Sequence, residues 1–325
     1  MAAADQIKSL VKSFGEGDEE RFFTTAMQIA ASEARNGHTI FAQELKSLIE
    51  KAKKNRSLAF LDRNKTIPIL QPSRELHELI EVFQPKIKLN DMILTPEVKE
   101  ALIKLVNEQR HWEILRQYNL MPRRKLLLQG PPGCGKTMTA QALAGELGVP
   151  VFIVRLDGLI SKFMGESISK LRLIFDAMPN HRGIYLFDEF DSIGSHRNQG
   201  QDVGEIKRVL NSFLINIEKD LSNSVIIAAT NMPESLDKAL FRRFDDIITF
   251  PLPNENEIID TIKKNLAGFK FSQRINYPEL AIEAEGLNYS DIVRACEDTI
   301  KEMILKRLIN LEKSDMISAL KKRKS

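Results

Sequence analysis

The sequence predicts an α/β protein in which a parallel sheet is flanked by helices, preceded by a small all-helical domain and followed by a small helical lid. Two observations carry this. Between Lys125 and Leu252 five short apolar runs, KLLLQ, VFIVRL, GIYLFDE, SVIIAAT and DIITFPL, alternate with helical stretches. Buried strands separated by helices form a parallel sheet covered on both faces. Outside that stretch, residues 1–56 and 254–325 lack any such run and read as helices instead.

In chain order, residues 1–56 read as three amphipathic helices. In the second, Asp18 can cap the first turn, Phe22, Phe23, Ala26, Met27, Ala30 and Ala34 recur at helical spacing, and Asn36-Gly37 supplies a stop. The third starts at Thr39 and carries Ile40, Phe41, Leu45, Leu48 and Ile49. Residues 57–94 mix short apolar pieces with Pro68, Pro72 and Pro85 and read as a linker with one short helix around 73–83. Thr95-Pro96 opens a long helix by the cap-then-proline rule, with Val98, Ala101, Leu102, Leu105, Val106 and Trp112 on one face. The expected division is therefore an N-terminal bundle (1–56), a linker (57–94), the α/β domain (95–252) and the lid (253–325).

Composition narrows the class further. Of 325 residues 43% are hydrophobic and 28% charged, with 16 Gly and 13 Pro, which excludes collagen-like, low-complexity and wholly disordered chains. The two cysteines, Cys134 and Cys296, form no Cys-x-x-Cys pair, which argues against a disulfide framework or a structural zinc. No apolar run approaches the roughly 20 residues of a membrane helix, and the start lacks the order of a signal peptide, so a cytoplasmic location without a membrane partner is expected. Lys+Arg 47 against Asp+Glu 44 gives a net charge of +3, too balanced to suggest nucleic acid.

The chemistry centres on Gly130-Pro131-Pro132-Gly133-Cys134-Gly135-Lys136-Thr137, which fits G-x-x-x-x-G-K-[ST] between the strand KLLLQ and a helical stretch opening at Met138. Glycines let the backbone wrap a polyphosphate so that several N–H groups and a helix N-terminus face it. Lys136 adds a point charge at the β and γ phosphates, and Thr137 offers a hydroxyl to Mg²⁺. Further along, GIYLFDE places Asp188 and Glu189 at the carboxyl end of a buried strand, where ligands of open parallel sheets bind. Asp188 then suits the Mg²⁺ shell, and Glu189 suits a base that polarises attacking water.

Three weaker signals accompany these. Asn231 follows the strand VIIAAT and can hold attacking water or the γ-phosphate, although a lone strand-end Asn is also an ordinary turn former. Arg242 and Arg243 stand before another strand, where salt-bridged surface arginines are the plain alternative. Lys162, Phe163 and Met164 precede Gly165, which favours an exposed loop over two core residues.

Taken together, GPPGCGKT, IYLFDEFDSI, IIAATN, ALFRRFD and DIITFPLP stand in the order of an AAA ATPase, within the AAA+ group, and the resemblance spans about residues 90–300. It implies ATP and Mg²⁺ as ligands and a ring, usually a hexamer, with ATP between subunits. Arg242 and Arg243 then resemble arginine fingers that reach a neighbour's γ-phosphate, although the Pro-Gly that often separates two such arginines is missing. Lys162-Phe163-Met164 resembles the first pore loop, which grips a polypeptide. Gly286-Leu287-Asn288-Tyr289-Ser290-Asp291 resembles the segment near adenine and ribose, without a second-sensor arginine. The histidine many relatives carry in the first lid helix is also absent.

The leading function is thus a motor acting on a protein. The helices from Gly17 to Leu48 also resemble, more loosely, those of bacterial AAA ATPases encoded beside subtilisin-like serine proteases. The alternative is therefore a regulatory ATPase that activates or feeds a separate protease, for instance in bacterial defence. In-chain proteolysis is excluded at motif level, because His77-Glu78 is followed by Glu81 rather than a second histidine and no G-x-S-x-G occurs. A DNA-directed motor is disfavoured by the balanced charge.

Overall fold

The computed structural model describes residues 25–27, 29–30, 32–33, 38, 41–49, 74–159, 166–193, 203–236 and 238–324. Contacts divide the chain into residues 1–70 and 71–325. In the first unit residues 41–49 are helical, and Ala42 and Ile49 are buried while Phe41 and Leu48 stand 53% and 62% exposed. The apolar face is thus rotated from the expected stripe, with small Ala42 inside. Ala26 and Ala30 are buried as the periodicity of the preceding helix predicts. The expected caps Asp18 and Thr39 lie outside the described residues.

In the second unit, α1 (Arg74–Leu79) runs directly into β1 (Ile80–Phe83). The short helix expected around 73–83 therefore ends at Leu79, and residues 80–83 are a strand instead. β1 pairs antiparallel with β3, Phe83 opposite Val151, so the hydrogen bonds that make it a strand come from a segment far along the chain. Thr95 caps α2 (Pro96–Arg110), its hydroxyl accepting from the Val98 N–H at 3.3 Å with Pro96 in the first turn. Val98, Leu102, Leu105 and Val106 are buried as expected. Trp112 leaves that stripe, because the helix breaks at His111 and Trp112 starts α3 (Trp112–Gln117), where the Arg116 guanidinium lies 5.3 Å over its ring.

Each of the five apolar runs contributes a strand: β2 (Lys125–Gln129), β3 (Val151–Val154), β4 (Ile184–Phe187), β5 (Val225–Thr230) and β6 (Asp246–Thr249). The sheet order is β1-β3-β4-β5-β2-β6, and every pairing except β1 with β3 is parallel. Between the strands lie α4 (Lys136–Leu147), α5 (Glu166–Ala177) and α6 (Val203–Lys219). On one face Leu102, Leu105 and Leu143 pack with Leu126, Leu128 and Ile227. On the other, Phe213 meets Phe187 at 5.0 Å and Phe190 at 4.7 Å between ring centroids. These rings bracket Asp188 and Glu189, so aromatic packing fixes the end of β4.

The lid consists of α7 (Glu255–Asn265), α8 (Tyr277–Ala284), α9 (Tyr289–Leu305) and α10 (Lys313–Lys324). It has its own core of Ile262, Leu280, Ile292, Cys296, Met316 and Leu320. A capping box starts it: the Glu257 N–H donates to the Asn254 side chain at 3.0 Å, and the Asn254 N–H returns a bond to the Glu257 carboxylate at 2.9 Å. Among the described residues no helix is long and apolar enough to cross a membrane.

Candidate functional site

β2 delivers the glycine-rich loop to the carboxyl edge of the sheet. At Gly130 φ is +143°, and an added Cβ would meet the Phe250 carbonyl oxygen at 2.1 Å. Gly133, at φ +72°, faces the lid, where a Cβ would meet the Asn288 Oδ1 at 2.5 Å. Neither place admits a side chain, so the two glycines let the loop pass between β6 and α9. The loop ends on α4, which no side chain caps. Its first-turn N–H groups therefore remain donors for a ligand.

Lys136 is 6% exposed, and its ammonium donates to the Gly130 and Pro131 carbonyls at 2.7 and 2.8 Å and to the Asn231 Oδ1 at 2.7 Å. Burial pulls its pKa down from the ordinary lysine value, while nearby Asp188 and Asp191 oppose the fall. Thr137 donates its hydroxyl to the Asp188 Oδ2 at 2.6 Å, and the other Asp188 oxygen accepts the Glu189 N–H at 2.9 Å. Glu189 itself adopts φ +49°, a left-handed conformation that non-glycine residues rarely take. Cys134 is 2% exposed and burial pushes its thiol up, with Lys136 opposing, so it behaves as a small apolar residue of the loop.

Above the loop opens a cavity of about 730 Å³, large enough for a nucleotide. Residues 132–138, Asp188, Glu189 and Asn231 form its floor. Thr261, Asn265, Tyr289 and Arg294 of the lid, with Met92 and Ile93, close the other side. Lid and loop are joined directly, because the Ser290 N–H donates to the Gly133 carbonyl at 3.2 Å, and Lys264 ties the lid to the turn before α2 by donating to the Asp91 carbonyl. Tyr289 hydrogen-bonds the buried Glu257 at 3.0 Å, which ties the first turn of α9 to that of α7.

The structure thus brings together Gly130 to Met138, Asp188, Glu189 and Asn231. Arg242 and Arg243 lie elsewhere. Asp245 accepts the N–H groups of Arg124 and Lys125 at 2.8 and 2.9 Å, which anchors the arginine loop at the amino ends of β2 and β6. The phosphate loop leaves β2 at its opposite end, and five strand residues span about 17 Å. Arg243 is held 2.7 Å from the Glu218 carboxylate through its Nε, as an ion pair without the angle of a hydrogen bond. Arg242 is exposed and has no ion-pair partner among the described residues. Lys162, Phe163 and Met164 lie outside the described residues.

Several participants escaped the motif reading. Met92, Thr261, Asn265 and Arg294 line the cavity through contacts that no local pattern announces, and Asp191 supports Asn231 from behind it. The second aspartate in DEFD was the available signal for Asp191. Among the described residues no cluster of three or more His, Cys, Asp or Glu could hold a metal by itself. Mg²⁺ nevertheless fits here, since it takes one or two protein oxygens and completes its shell with phosphate and water, and the Thr137 hydroxyl and Asp188 carboxylate already meet.

A phosphate loop on a parallel sheet, a strand-end Asp-Glu pair and a helical lid over a nucleotide-sized cavity define a P-loop nucleoside triphosphatase. The model of the family described as "ATPase family associated with various cellular activities (AAA)" matches residues 126–252. The uncharacterized AAA family ATPase y4kL of Sinorhizobium fredii is 34% identical over 323 residues, covering 98% of this chain and 95% of that protein. The chain belongs to the AAA ATPase family. It is also 30% identical over 328 residues to the cell division cycle protein 48 homolog of Archaeoglobus fulgidus, of which it spans 44%. Over 224 residues it is 33% identical to the ATP-dependent zinc metalloprotease FtsH of Helicobacter pylori, of which it spans 35%.

Proposed function

We propose that this ATPase assembles into a ring and uses ATP hydrolysis to remodel, unfold or thread a protein. The observation that carries the ring is the position of the arginines. They stand at the amino edge of the sheet, while the phosphate loop stands at the carboxyl edge of the same strand, farther than an arginine side chain spans. Guanidiniums that serve a γ-phosphate from there serve the site of another subunit.

Within one site, Lys136 and the loop N–H groups hold the phosphates, and Thr137 with Asp188 would hold Mg²⁺. The ion, when bound, neutralises charge on the phosphate oxygens. Glu189 accepts the proton of the attacking water, and the Asn231 amide holds that water or the γ-phosphate. A protein as substrate is supported by kinship with a chain named as a protease, FtsH. The alternative, service to a separate serine protease, rests on the N-terminal helices alone.

Assembly makes activity collective. ATP turnover per subunit is expected to rise with protein concentration and to level off where light scattering shows a closed oligomer. Full turnover by a monomer would overturn the ring. A further outcome concerns Phe163: as a pore-loop residue, its replacement by alanine leaves melting temperature and basal turnover near wild type. A core Phe→Ala change instead costs about 3–5 kcal/mol, which a melting curve would reveal at once.

A further inference from the structure

Asn231 follows β5 with its side-chain Oδ1 accepting the Lys136 ammonium at 2.7 Å, and its backbone N–H is restrained as well. The restraint comes from across the site. The Asp191 Oδ1, in the 3-10 turn Phe190–Ile193 that follows the Asp188-Glu189 pair, accepts both the Asn231 N–H at 3.0 Å and the Thr230 hydroxyl at 2.9 Å. Thr230 is fully buried, so its hydroxyl finds its acceptor inside the protein. Its oxygen in turn accepts the Met232 N–H at 3.0 Å, which extends the restraint to the residue beyond Asn231.

One carboxylate therefore stitches the turn after β4 to the end of β5. The turn is itself anchored, because Phe190 is fully buried against Phe213. From this rigid base the chain of bonds runs Asp191 to Asn231 to Lys136, and both hydrogen bonds to Asp191 are charge-assisted, hence roughly twice as strong as neutral ones. Asp191 does not line the cavity and touches no ligand position; its negative charge also favours the Lys136 ammonium.

We infer that Asp191 is the positioning residue of this ATPase, holding the Asn231 amide at the place where it meets the attacking water or γ-phosphate; this rests on the proposed role of Asn231. Because the restraint matters when bond-making geometry is set, its loss lowers kcat and leaves ATP binding, which the phosphate loop supplies, largely intact.

The test is a double-mutant cycle on the full chain, reading kcat and KM for ATP, direct binding of ATP, and thermal melting. Asn231→Ala is measured first and is expected to slow turnover. Asp191→Ala is expected to lower kcat about tenfold, the worth of one charge-assisted hydrogen bond, with ATP affinity changed less than about threefold. Asp191→Asn retains an acceptor oxygen and is expected to recover most of that loss. In the Asn231→Ala background, Asp191→Ala is expected to cost less than about twofold more, since the residue it positions is gone.

A merely structural Asp191 predicts the opposite, losses that multiply in the double variant and follow the fall in melting temperature. That result overturns the inference. So does wild-type turnover by Asp191→Ala when Asn231→Ala is slow, which leaves the role of Asn231 standing. Wild-type turnover by Asn231→Ala overturns both, because nothing would remain to be positioned. Where Asp191→Ala does not fold, the same cycle with Thr230→Val, which removes one of the two bonds, decides by the same criterion.

Discussion

Glu189→Gln is expected to bind ATP as wild type does and to turn it over at least about 10²-fold more slowly, the low end of what a general base contributes. The geometry explains why the two properties separate. In the proposed site phosphate affinity resides in Lys136, the loop N–H groups and the Thr137-Asp188 pair, and the substitution leaves the hydrogen bonds of Lys136 and Thr137 in place. The amide is isosteric, and the main-chain bond from Glu189 to Asp188 is retained. Steady-state turnover together with ATP binding checks this. Turnover within about threefold of wild type would remove Glu189 from the role of base. By contrast Lys136→Ala is expected to lose binding itself, because it removes a buried cation with three hydrogen bonds.

Arg242→Ala is expected to lower kcat about 10³-fold, the low end for an arginine finger, with ATP affinity near wild type. Arg243→Ala is expected to cost less at the phosphate, since its guanidinium is engaged with Glu218 in its own chain while Arg242 is exposed and has no ion-pair partner among the described residues. Mixing Arg242→Ala with Glu189→Gln subunits tests action between subunits. Some interfaces then pair an intact base with an intact arginine, and part of the activity returns. Mixed oligomers of verified composition that show no rescue would rule out action in trans.

Where the physics is local, the sequence was readable. LLL of β2 and VIIAA of β5 are continuous apolar runs because both faces of those strands are covered, and Thr95-Pro96 carries its own capping signal. β1 was not readable: Ile80 to Phe83 is short, follows a helical stretch, and becomes a strand only against β3. At the site, the phosphate loop and the Asp188-Glu189 pair announced themselves through spacing. Thr261, Asn265 and Arg294 did not, since they line the cavity only once the lid has folded over the sheet. Phe41 and Leu48 failed for another reason, because periodicity reports an apolar stripe but not which part of its width is covered.

The left-handed backbone at Glu189 sets folding against the catalytic role proposed for its side chain. A non-glycine residue there costs about 1 kcal/mol or more, and a glycine would adopt the same turn without that cost. The end of β4 is thus a point of permanent tension, held by the packing of Phe187 and Phe190 on either side. If Glu189 is the base proposed above, Glu189→Gly is expected to melt no lower than wild type while turnover falls, the signature of a residue that trades stability for activity.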